Sequence, residues 1–424
     1  MKGLILAAPT SGSGKTTVTL GLLRALSEAG VNVRGAKSGP DYIDPRFHEA
    51  ACGRPCMSLD AWAMGPEQLR ALATKGTPEL LLVEGAMGLF DGAPPAGRGS
   101  TADLARTLGL PVVLVVDAGR MAHSIAPLVA GFANFHPEVT IAGVILNRVG
   151  SPRHTGMLRA ALEPLGIPIL GAVPRVRGLE HPDRHLGLVQ AQERPDLDAF
   201  LDRAGDTLAL TVDLDKLHDL AAPIATAPPA PQPAKPPAQR IALASDAAFD
   251  FAYPHLLDAW RAAGAQVIPF SPLADQPVPE CDLVYLPGGY PELHAGKLAA
   301  NVVFLHSLRR ASETAQIYGE CGGYMVLGQT LVDATGTPHT MAGLLNLETS
   351  FSTRKLHLGY RRLHADHGAF PGAWAGHEFH YATTVRAKGE PLFTAQDAEG
   401  TKLSPMGLRD GVVSGSFAHL IAPL

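Results

Sequence analysis

The stretch from Lys2 to Thr17, KGLILAAPTSGSGKTT, decides how the first half of the chain folds. It begins with an apolar run of strand length and continues into a small-residue loop that ends in Gly14-Lys15-Thr16. Apolar residues then recur at helical spacing at Val18, Leu22, Leu23 and Leu26. A strand, a loop and a helix in this order are the context in which a phosphate-binding loop occurs.

The chemistry of this loop predicts a nucleotide site. Backbone N–H groups at a helix N-terminus favour an anion. Lys15 adds a positive charge for the β- and γ-phosphates, and the Thr16 hydroxyl can hold Mg²⁺. Pro9 stands where the usual pattern has its first glycine. The predicted nucleotide-binding residues of the loop are Ser11, Gly12, Ser13, Gly14, Lys15, Thr16 and Thr17.

The amino-acid composition indicates a globular protein of two domains and argues against some classes of partner. The 424 residues are 46% hydrophobic, which predicts two domains with substantial cores. The net charge of -5 and the lack of a long basic stretch argue against a nucleic-acid partner. The sequence has no apolar run of transmembrane length and no signal peptide, so we expect a cytoplasmic protein without a membrane partner. The four cysteines are too scattered for a disulfide framework.

Acidic side chains follow two predicted strands of the first half. Asp41 and Asp44 lie in a loop after the second strand, which is either a plain turn or a metal or substrate loop. Ligands gather at the carboxyl ends of strands in an open α/β sheet, which favours the second interpretation. Glu84 ends the apolar run 80–83 and is the expected second holder of Mg²⁺. Asp91 lies in the Gly-rich segment that follows.

Three further strands continue the βα rhythm and predict a parallel, doubly wound sheet. Asn147 follows the second of them, where its amide could read a nucleotide base or simply form a turn. The character of the chain then changes, because a charged helical segment is followed by seven prolines between 223 and 237. We therefore predict an ATP-binding domain over 1–190, a helical and Pro-rich linker over 191–238 and a second domain over 239–424.

The second half predicts a cysteine nucleophile. Cys321 stands between a short strand and a small-residue helix start, which is a nucleophile-elbow arrangement. His419 follows a distant strand-like run and would serve as its base. A single cysteine is more often structural, but the neighbouring glycines favour a functional one. Backbone N–H groups at Gly289 and Gly322 would stabilise an oxyanion.

The segment 376–381, GHEFHY, contains metal-ligating residue types. On a strand, alternate side chains share a face, so His377 and Phe379 would point together while Glu378 and His380 point to the opposite face. A zinc site is one interpretation. The wall of a substrate or interdomain site is the alternative that we favour.

Together these motifs resemble known families. The second half is similar to the class I (triad) glutamine amidotransferase domain, and the first half to dethiobiotin synthetase-like ATP-dependent ligases. The segments 39–45, 84–92 and 358–361 resemble the family of cobyrinic acid and hydrogenobyrinic acid a,c-diamide synthases. The resemblance implies an α/β fold of two doubly wound domains. Class I members commonly carry Glu two residues after the His; that position is Ile421 here, so a Cys–His dyad is implied.

The resemblance implies a ligase of corrin-ring biosynthesis with ATP and L-glutamine as co-substrates. It would amidate the a and c acetate groups of cobyrinate or hydrogenobyrinate through an acyl phosphate. Ammonia from glutamine must reach that intermediate, so we expect both sites to face one shared cleft or channel. Thr16, Glu84 and one of Asp41 or Asp44 would hold Mg²⁺.

The resemblance also places Tyr42, Ile43 and Asp91 beside the substrate carboxylate. The corrin-ring substrate is a polyanion while the protein is net negative, so local cations must recruit it. The strongest candidates are Arg175 and Arg361. Further candidates are Arg148, Arg177, Arg184 and Arg354.

Two alternatives remain open at this point. The first is a sister amidase, either cobyric acid synthase or a nickel-sirohydrochlorin diamide synthase, which share the domain plan. The second is a ParA-like nucleotide switch without catalysis; a ParA-type loop often carries an extra Lys where Thr10 and Ser11 stand here. Whether cobalt is in the ring is left open, and a homodimer is one option for the oligomeric state.

Overall fold

A computed structural model describes residues 1–179, 183–184, 187–188, 190–225 and 235–424. The chain divides into two compact units, Met1–Pro231 and Gln232–Leu424. Residues 226–234 of the predicted Pro-rich linker and the side chain of Arg184 lie outside the described part. No helix among the described residues combines the length and apolar character needed to cross a membrane.

The first unit is organised around a parallel sheet with the strand order β3-β2-β4-β1-β5-β6-β7, and the short β10 pairs antiparallel with β1. The strands of the first unit are β1 (Lys2–Ala7), β2 (Val33–Ser38), β3 (Met57–Leu59), β4 (Leu80–Glu84), β5 (Val112–Asp117), β6 (Ile141–Val149), β7 (Ile169–Pro174), β8 (Asp183–Arg184), β9 (Gly187–Leu188) and β10 (Ala222–Pro223). Of these, β8 and β9 pair with each other in a separate two-stranded sheet. The central strands β1 and β4 are buried along almost their whole length, which explains their continuous apolar sequence.

Helices connect these strands. They are α1 (Lys15–Glu28), α2 (Asp44–Cys52), α3 (Pro66–Thr74), α4 (Thr101–Leu108), α5 (Ile125–Asn134), α6 (Pro152–Leu162), α7 (Leu197–Thr211) and α8 (Leu214–Leu220). The chain runs from β1 to one side of the sheet and returns through β4 and β5 to the other side. The carboxyl ends of β1 and β4 therefore lie at the topological switch point, where ligands bind in such sheets.

The segment predicted as a linker over 191–238 has two different parts in the structure. Its helix α7 packs along α1, and Arg24 of α1 hydrogen-bonds Asp202 of α7. The helical part is therefore built into the first unit. The division between the two units falls in the proline-rich part, at 231/232.

The second unit combines one mostly parallel sheet with two smaller sheets. The strand orders are β12-β11-β13-β14-β23-β22, β16-β15-β17-β20 and β21-β18-β19-β24. The strands of the first sheet are β11 (Arg240–Ala244), β12 (Gln266–Phe270), β13 (Leu283–Leu286), β14 (Gln316–Glu320), β22 (Leu408–Asp410) and β23 (Val413–Ser416). The strands of the smaller sheets are β15 (Thr330–Val332), β16 (Pro338–Thr340), β17 (Leu347–Ser350), β18 (His357–Ala365), β19 (Gly372–His380), β20 (Thr383–Ala387), β21 (Thr394–Gln396) and β24 (Ala418–Pro423).

The helices of this unit are short. They are α9 (Pro254–Ala262), α10 (Ala295–Ala300), α11 (Val302–Ala311) and α12 (Gly322–Leu327). The strand β14 ends at Glu320, directly before the elbow at Cys321, and it pairs in parallel with β23. The antiparallel β24 follows β23 and carries His419. The neighbouring strands β14 and β23 thus lead directly to Cys321 and to the strand that carries His419, two residues that are far apart in sequence.

Candidate active sites

The loop between β1 and α1 has the geometry of a phosphate-binding loop. Gly12 and Gly14 have φ angles of +77° and +83°, a left-handed conformation that glycine adopts without strain. The Ser13 hydroxyl donates to the carbonyl of Thr10 over 2.8 Å and closes the loop. Lys15 Nζ donates to the carbonyl of Met87, in the Gly-rich segment after β4. Burial lowers the pKa of Lys15 to about 8.

A cleft of about 810 Å³ opens beside this loop. The predicted residues on its wall are Ser11, Gly12, Gly14, Lys15, Thr16, Thr17, Asp44, Glu84, Asn147 and Arg175. Lys37 and Arg148 also line it. The cleft therefore gathers residues from the carboxyl ends of four strands around the phosphate loop.

A buried charge cluster forms the floor of the cleft. Lys37 Nζ lies 2.7 Å from Glu84 Oε1 and 2.5 Å from Asp44 Oδ2. The Thr16 hydroxyl donates to the same Glu84 oxygen over 2.6 Å, and His48 Nε2 lies 2.8 Å from Glu84 Oε2. Both oxygens of Glu84 thus have partners, which fixes its side chain.

The charged side chains of the cluster shift one another's pKa values. Burial penalises the charge of Lys37, but the carboxylates of Asp44 and Glu84 outweigh it and raise the pKa of Lys37. Burial likewise opposes the charge of Glu84, and Lys37 and His48 outweigh it, so the pKa of Glu84 is lowered. A lysine and a carboxylate that neutralise each other explain how charge is tolerated in this interior position.

The two acids of the loop before α2 have different surroundings. Asp41 Oδ1 accepts the backbone N–H groups of Ile43 and Asp44 at 2.8 and 3.0 Å, so it holds the start of α2. Burial, and next the neighbouring Asp44, raise the pKa of Asp41 to about 6. Asp44 contacts Lys37 on the wall of the cleft, whereas Asp41 is not among its lining residues.

Asn147 and two arginines border the loop from the side of β6 and β7. Asn147 Nδ2 donates to the carbonyl of Ser13 over 2.9 Å, so it holds the loop as well as lining the cleft. Arg148 donates to the carbonyl of Gly12 over 2.9 Å. Arg175, which was predicted to recruit the ring substrate, also lines this cleft.

The residues expected beside the substrate carboxylate differ in exposure. Tyr42 and Ile43 are buried, with exposed fractions of 7% and 5%. Asp91 is exposed, and its Oδ2 accepts the backbone N–H of Gly88 over 2.9 Å. Asp91 is also one of the acids whose charge raises the pKa of Lys15, although it is not among the residues that line the cleft.

The second site centres on a strained elbow. Cys321 has φ 46° and ψ -104°, a conformation that non-glycine residues rarely adopt. Its backbone N–H donates to the carbonyl of Ser416 over 2.8 Å, which ties the elbow to β23. The backbone of Gly322 hydrogen-bonds the sulfur of Cys321. A Cβ at Gly322 would lie 3.0 Å from the backbone nitrogen of Gly289, so the two predicted oxyanion donors are neighbours.

Gly288 explains how the cysteine and histidine come together. A Cβ at this position would lie 2.2 Å from His419 Cε1, 2.9 Å from His419 Nε2 and 3.2 Å from Cys321 Cβ. The imidazole and the elbow therefore meet over the Gly288 backbone, where any side chain would separate them. The structure thus brings both predicted residues into one centre.

Burial disfavours the charged forms of both Cys321 and His419. Burial, and next the carboxylate of Glu292, raise the pKa of Cys321. Burial, and next the neighbouring His377, lower the pKa of His419 to about 3. The surroundings therefore favour a neutral thiol and a neutral imidazole.

The predicted substrate residue Arg361 is engaged within the second unit. Its Nε and one terminal nitrogen contact Glu378 Oε2 at 3.0 and 2.7 Å. Glu378 Oε1 lies 3.0 Å from His380 Nε2, so Glu378 and His380 share one face of β19 as the alternation predicted.

His357 joins this group, and one potential ligand atom from each of His357, Glu378 and His380 lies within 4.8 Å of the others. The two imidazole rings are stacked, 4.6 Å apart at an angle of 6°. Stacked, nearly parallel rings do not direct their lone pairs at one ion, and Arg361 already occupies the other carboxylate oxygen. The geometry therefore favours an ion-paired wall over a zinc site.

Comparison with known proteins identifies both halves. Residues 4–189 match the CobQ/CobB/MinD/ParA nucleotide binding domain, and residues 240–423 match the CobB/CobQ-like glutamine amidotransferase domain. A hydrogenobyrinate a,c-diamide synthase of Brucella anthropi is 55% identical over 430 residues, which cover 99% of this chain and 98% of that protein. The chain belongs to the hydrogenobyrinate a,c-diamide synthase family.

Other members of the family are similar over the same length. The hydrogenobyrinate a,c-diamide synthase of Rhodobacter capsulatus is 55% identical over 433 residues, and that of Agrobacterium fabrum is 51% identical over 432. Each match covers 99% of both chains. The predicted resemblance and the predicted fold of two α/β domains are confirmed. A nucleotide switch does not account for the amidotransferase half.

Several supporting residues had no role in the sequence prediction. Lys37 and His48 complete the cluster around Glu84, and Glu320 lies beside His419. Lys37 follows the second strand and Glu320 directly precedes Cys321, so both had a positional signal. Their contacts depend on which strands are neighbours in the sheets, and the sequence pattern does not reveal that order.

Proposed function

We propose that this chain catalyses the ATP- and glutamine-dependent amidation of the a and c acetate groups of hydrogenobyrinate. The observation that carries the proposal is the similarity, over the full length, to hydrogenobyrinate a,c-diamide synthases. The two candidate sites supply the two chemical tasks of such a reaction. One binds a nucleotide and the other holds a cysteine beside a histidine.

In the first unit, the cleft would activate a substrate carboxylate. A carboxylate is a poor acylating agent, because its leaving group would be oxide. Transfer of the γ-phosphoryl group of ATP to a carboxylate oxygen, with release of ADP, gives an acyl phosphate with a good leaving group. Lys15 and the backbone N–H groups of the loop would hold the phosphates, and phosphate would favour the charged form of Lys15.

The donor set beside the loop fits Mg²⁺. Thr16, Asp44 and Glu84 offer a hydroxyl and two carboxylates, which are the hard oxygen ligands this ion prefers. When bound, Mg²⁺ would neutralise charge on the β- and γ-phosphates. We assign Asp44 rather than Asp41 to this set, because Asp41 accepts the backbone N–H groups of Ile43 and Asp44 and Asp44 lines the cleft.

In the second unit, Cys321 would attack the side-chain amide of glutamine while His419 accepts its proton. The tetrahedral oxyanion would receive hydrogen bonds from the N–H groups of Gly289 and Gly322. Ammonia leaves, and water then hydrolyses the thioester to glutamate. Nitrogen transfer is complete when ammonia attacks the acyl phosphate and inorganic phosphate departs.

Mass spectrometry of the reaction products tests the proposal. The purified chain would be incubated with ATP, Mg²⁺, glutamine and either hydrogenobyrinate or its cobalt-containing counterpart. We expect two amides on hydrogenobyrinate, with one ADP and one glutamate formed per amide. Four amides would indicate the cobyric acid synthase reaction instead. ADP release that does not depend on glutamine or ammonia would contradict an amide synthase.

A further inference from the structure

A buried carboxylate lies on the far side of His419 from the cysteine. Glu320 Oε2 is 3.7 Å from His419 Nδ1, and both side chains are almost completely buried. The ring atoms of His419 nearest to a Cβ built at Gly288 are Cε1 at 2.2 Å and Nε2 at 2.9 Å, and the same position lies 3.2 Å from Cys321 Cβ, so Nε2 is the ring nitrogen on the side of the elbow. The order in space is thus thiol, imidazole, carboxylate, although Glu320 precedes Cys321 directly in sequence.

Glu320 is held firmly in this place. Its Oε1 accepts the backbone N–H of Leu420 over 3.0 Å, so it is tied to the residue next to His419. Its Oε2, the atom nearest the imidazole, accepts the Tyr285 hydroxyl over 2.8 Å. Tyr285 and the elbow strand belong to the same sheet. The hydrogen bonds from Leu420 and Tyr285 both favour the charged form of this carboxylate.

The chemistry of the centre requires such a group. When Cys321 loses its proton to His419, a positive imidazolium forms in a site with no exposed surface on the ring. A buried cation is costly unless an anion is close. Ile421, two residues after His419, has an apolar side chain, and its carbonyl contacts His255. Glu320 is the carboxylate in contact range on the Nδ1 side.

We propose that Glu320 is the positioning residue of the glutaminase centre and stabilises the His419 imidazolium through Nδ1. The inference rests on the proposed roles of Cys321 and His419. Its consequence is a triad whose acid comes from the residue before the nucleophile. In the resting state 3.7 Å exceeds a hydrogen bond, and catalytic contacts of this kind tighten when charge develops.

The protonation of Glu320 predicts a particular pH dependence of the glutaminase activity. Burial raises the pKa of Glu320 to about 7, against the hydrogen bonds from Leu420, Tyr285 and Tyr318, which favour the charged form. Below that pH the carboxyl is neutral and cannot stabilise an imidazolium, so glutaminase activity should fall on acidification. Titratable groups near this pair are Tyr285, Tyr318, His377, His380 and Cys321. The Phe251 backbone also hydrogen-bonds the His419 ring.

The first test compares Glu320→Gln with Glu320→Asp in the full-length enzyme. Glutamate release is measured with ATP and the ring substrate present, from pH 5.5 to 9. We expect Glu320→Gln to lower kcat by at least about tenfold and to leave the KM for glutamine within about twofold. Glu320→Asp, which keeps the charge, should recover part of the rate. Amidation with free ammonia should be unchanged in both.

The second test moves the pKa without removing the carboxylate. Tyr285→Phe deletes a hydrogen bond to the charged form, so the acid limb of the kcat/KM profile should move to higher pH. Tyr324→Phe is the matched control, because its buried ring packs on Phe417 and it is not among the groups that affect the pKa of Glu320. We expect no movement of the limb in that variant.

The outcomes are distinct. A Glu320→Gln enzyme with glutaminase activity within about threefold of wild type and the same acid limb would overturn the inference. If Glu320→Gln also loses ammonia-dependent activity, it has failed to fold, and the Tyr285→Phe profile then decides: an unmoved limb overturns the inference. Glutamate release by Cys321→Ser would instead overturn the proposed nucleophile.

Discussion

The cleft beside Lys15 contains charged side chains that are paired with one another, whereas the surroundings of Cys321 favour uncharged side chains. In the first, Lys37 already pairs with Asp44 and Glu84, so the charged side chains have partners before any ligand binds. In the second, burial keeps the thiol and the imidazole neutral. In the proposed reaction the first site binds an anion that is already charged before it binds. In the proposed reaction the second site stabilises charge that forms only during the reaction, so we expect the groups around Cys321 and His419 to determine its rate.

Removing the nucleophile should have the largest effect and separates the two sites. Cys321→Ser should lower glutamine-dependent amidation by more than about 1,000-fold, because a serine hydroxyl beside a neutral imidazole is a much weaker nucleophile than a thiolate. Amidation with free ammonia should stay within about twofold. The measurement is the rate of amide formation with each nitrogen source.

Cys281→Ser is the matched control, because Cys281 is a half-buried thiol in the same unit, away from the elbow. It should retain both activities. If Cys321→Ser loses the ammonia-dependent reaction as well, the division of tasks between the two sites is wrong.

Loss of the phosphate-loop lysine should impair the site in the first unit and leave the site in the second unit intact. Lys15→Ala removes the cation that would face the β- and γ-phosphates, and we expect a fall of about 100- to 1,000-fold in amide formation. The fall should be the same with glutamine and with ammonia, since both need the acyl phosphate. Lys297→Ala, at an exposed lysine of α10, is the control. A loss confined to the glutamine-dependent reaction would contradict this role.

The buried charge cluster makes a prediction about stability. Lys37→Met leaves Asp44 and Glu84 in the interior without their cation and should lower the free energy of unfolding of the first unit by about 3–5 kcal/mol at pH 7. Urea unfolding measures this loss. Lys402→Met, at an exposed lysine, should change it little.

The pH dependence of that variant has a definite sign. In the wild type the folded-state pKa of Glu84 is lowered, so its contribution is present above the unfolded pKa and is lost as pH falls. Without Lys37, burial should raise the folded-state pKa of Glu84 instead. Acidification from pH 7 toward 5 should therefore narrow the difference in unfolding free energy between Lys37→Met and the wild type. A difference that stays constant or widens would show that the pairing is not the source of the effect.

The sequence predicted the backbone features of both sites better than their supporting side chains. A strand followed by a small-residue loop and Gly-Lys-Thr specifies a phosphate loop locally, and Cys321 between a strand and glycines specifies an elbow locally. Lys37 meets Glu84 because β2 and β4 are neighbours in register, and Glu320 meets His419 because β14 lies beside β23. Such contacts follow from strand order, which no local pattern encodes.

Tyr42 and Asn147 illustrate the same limit. The resemblance implied that Tyr42 lies beside the substrate carboxylate, and in the structure Tyr42 is buried just before the start of α2. Asn147 was expected at the carboxyl edge of its strand, and it lies there, but its amide also reaches back to the carbonyl of Ser13. That second contact links the strand β6 to the phosphate loop and has a measurable consequence.

The smallest predicted effect tests this link. Asn147→Ala removes one hydrogen bond to the loop, worth about 1 kcal/mol, so the KM for ATP should rise by about three- to tenfold. The KM for the ring substrate and the ammonia-dependent kcat should change little, because the charge cluster at Glu84 is untouched. Asn134→Ala, at the exposed end of α5, is the matched control. Steady-state kinetics with ATP and the ring varied in turn distinguishes the two possibilities: a rise in the KM for the ring rather than for ATP would place Asn147 at the substrate instead of at the nucleotide.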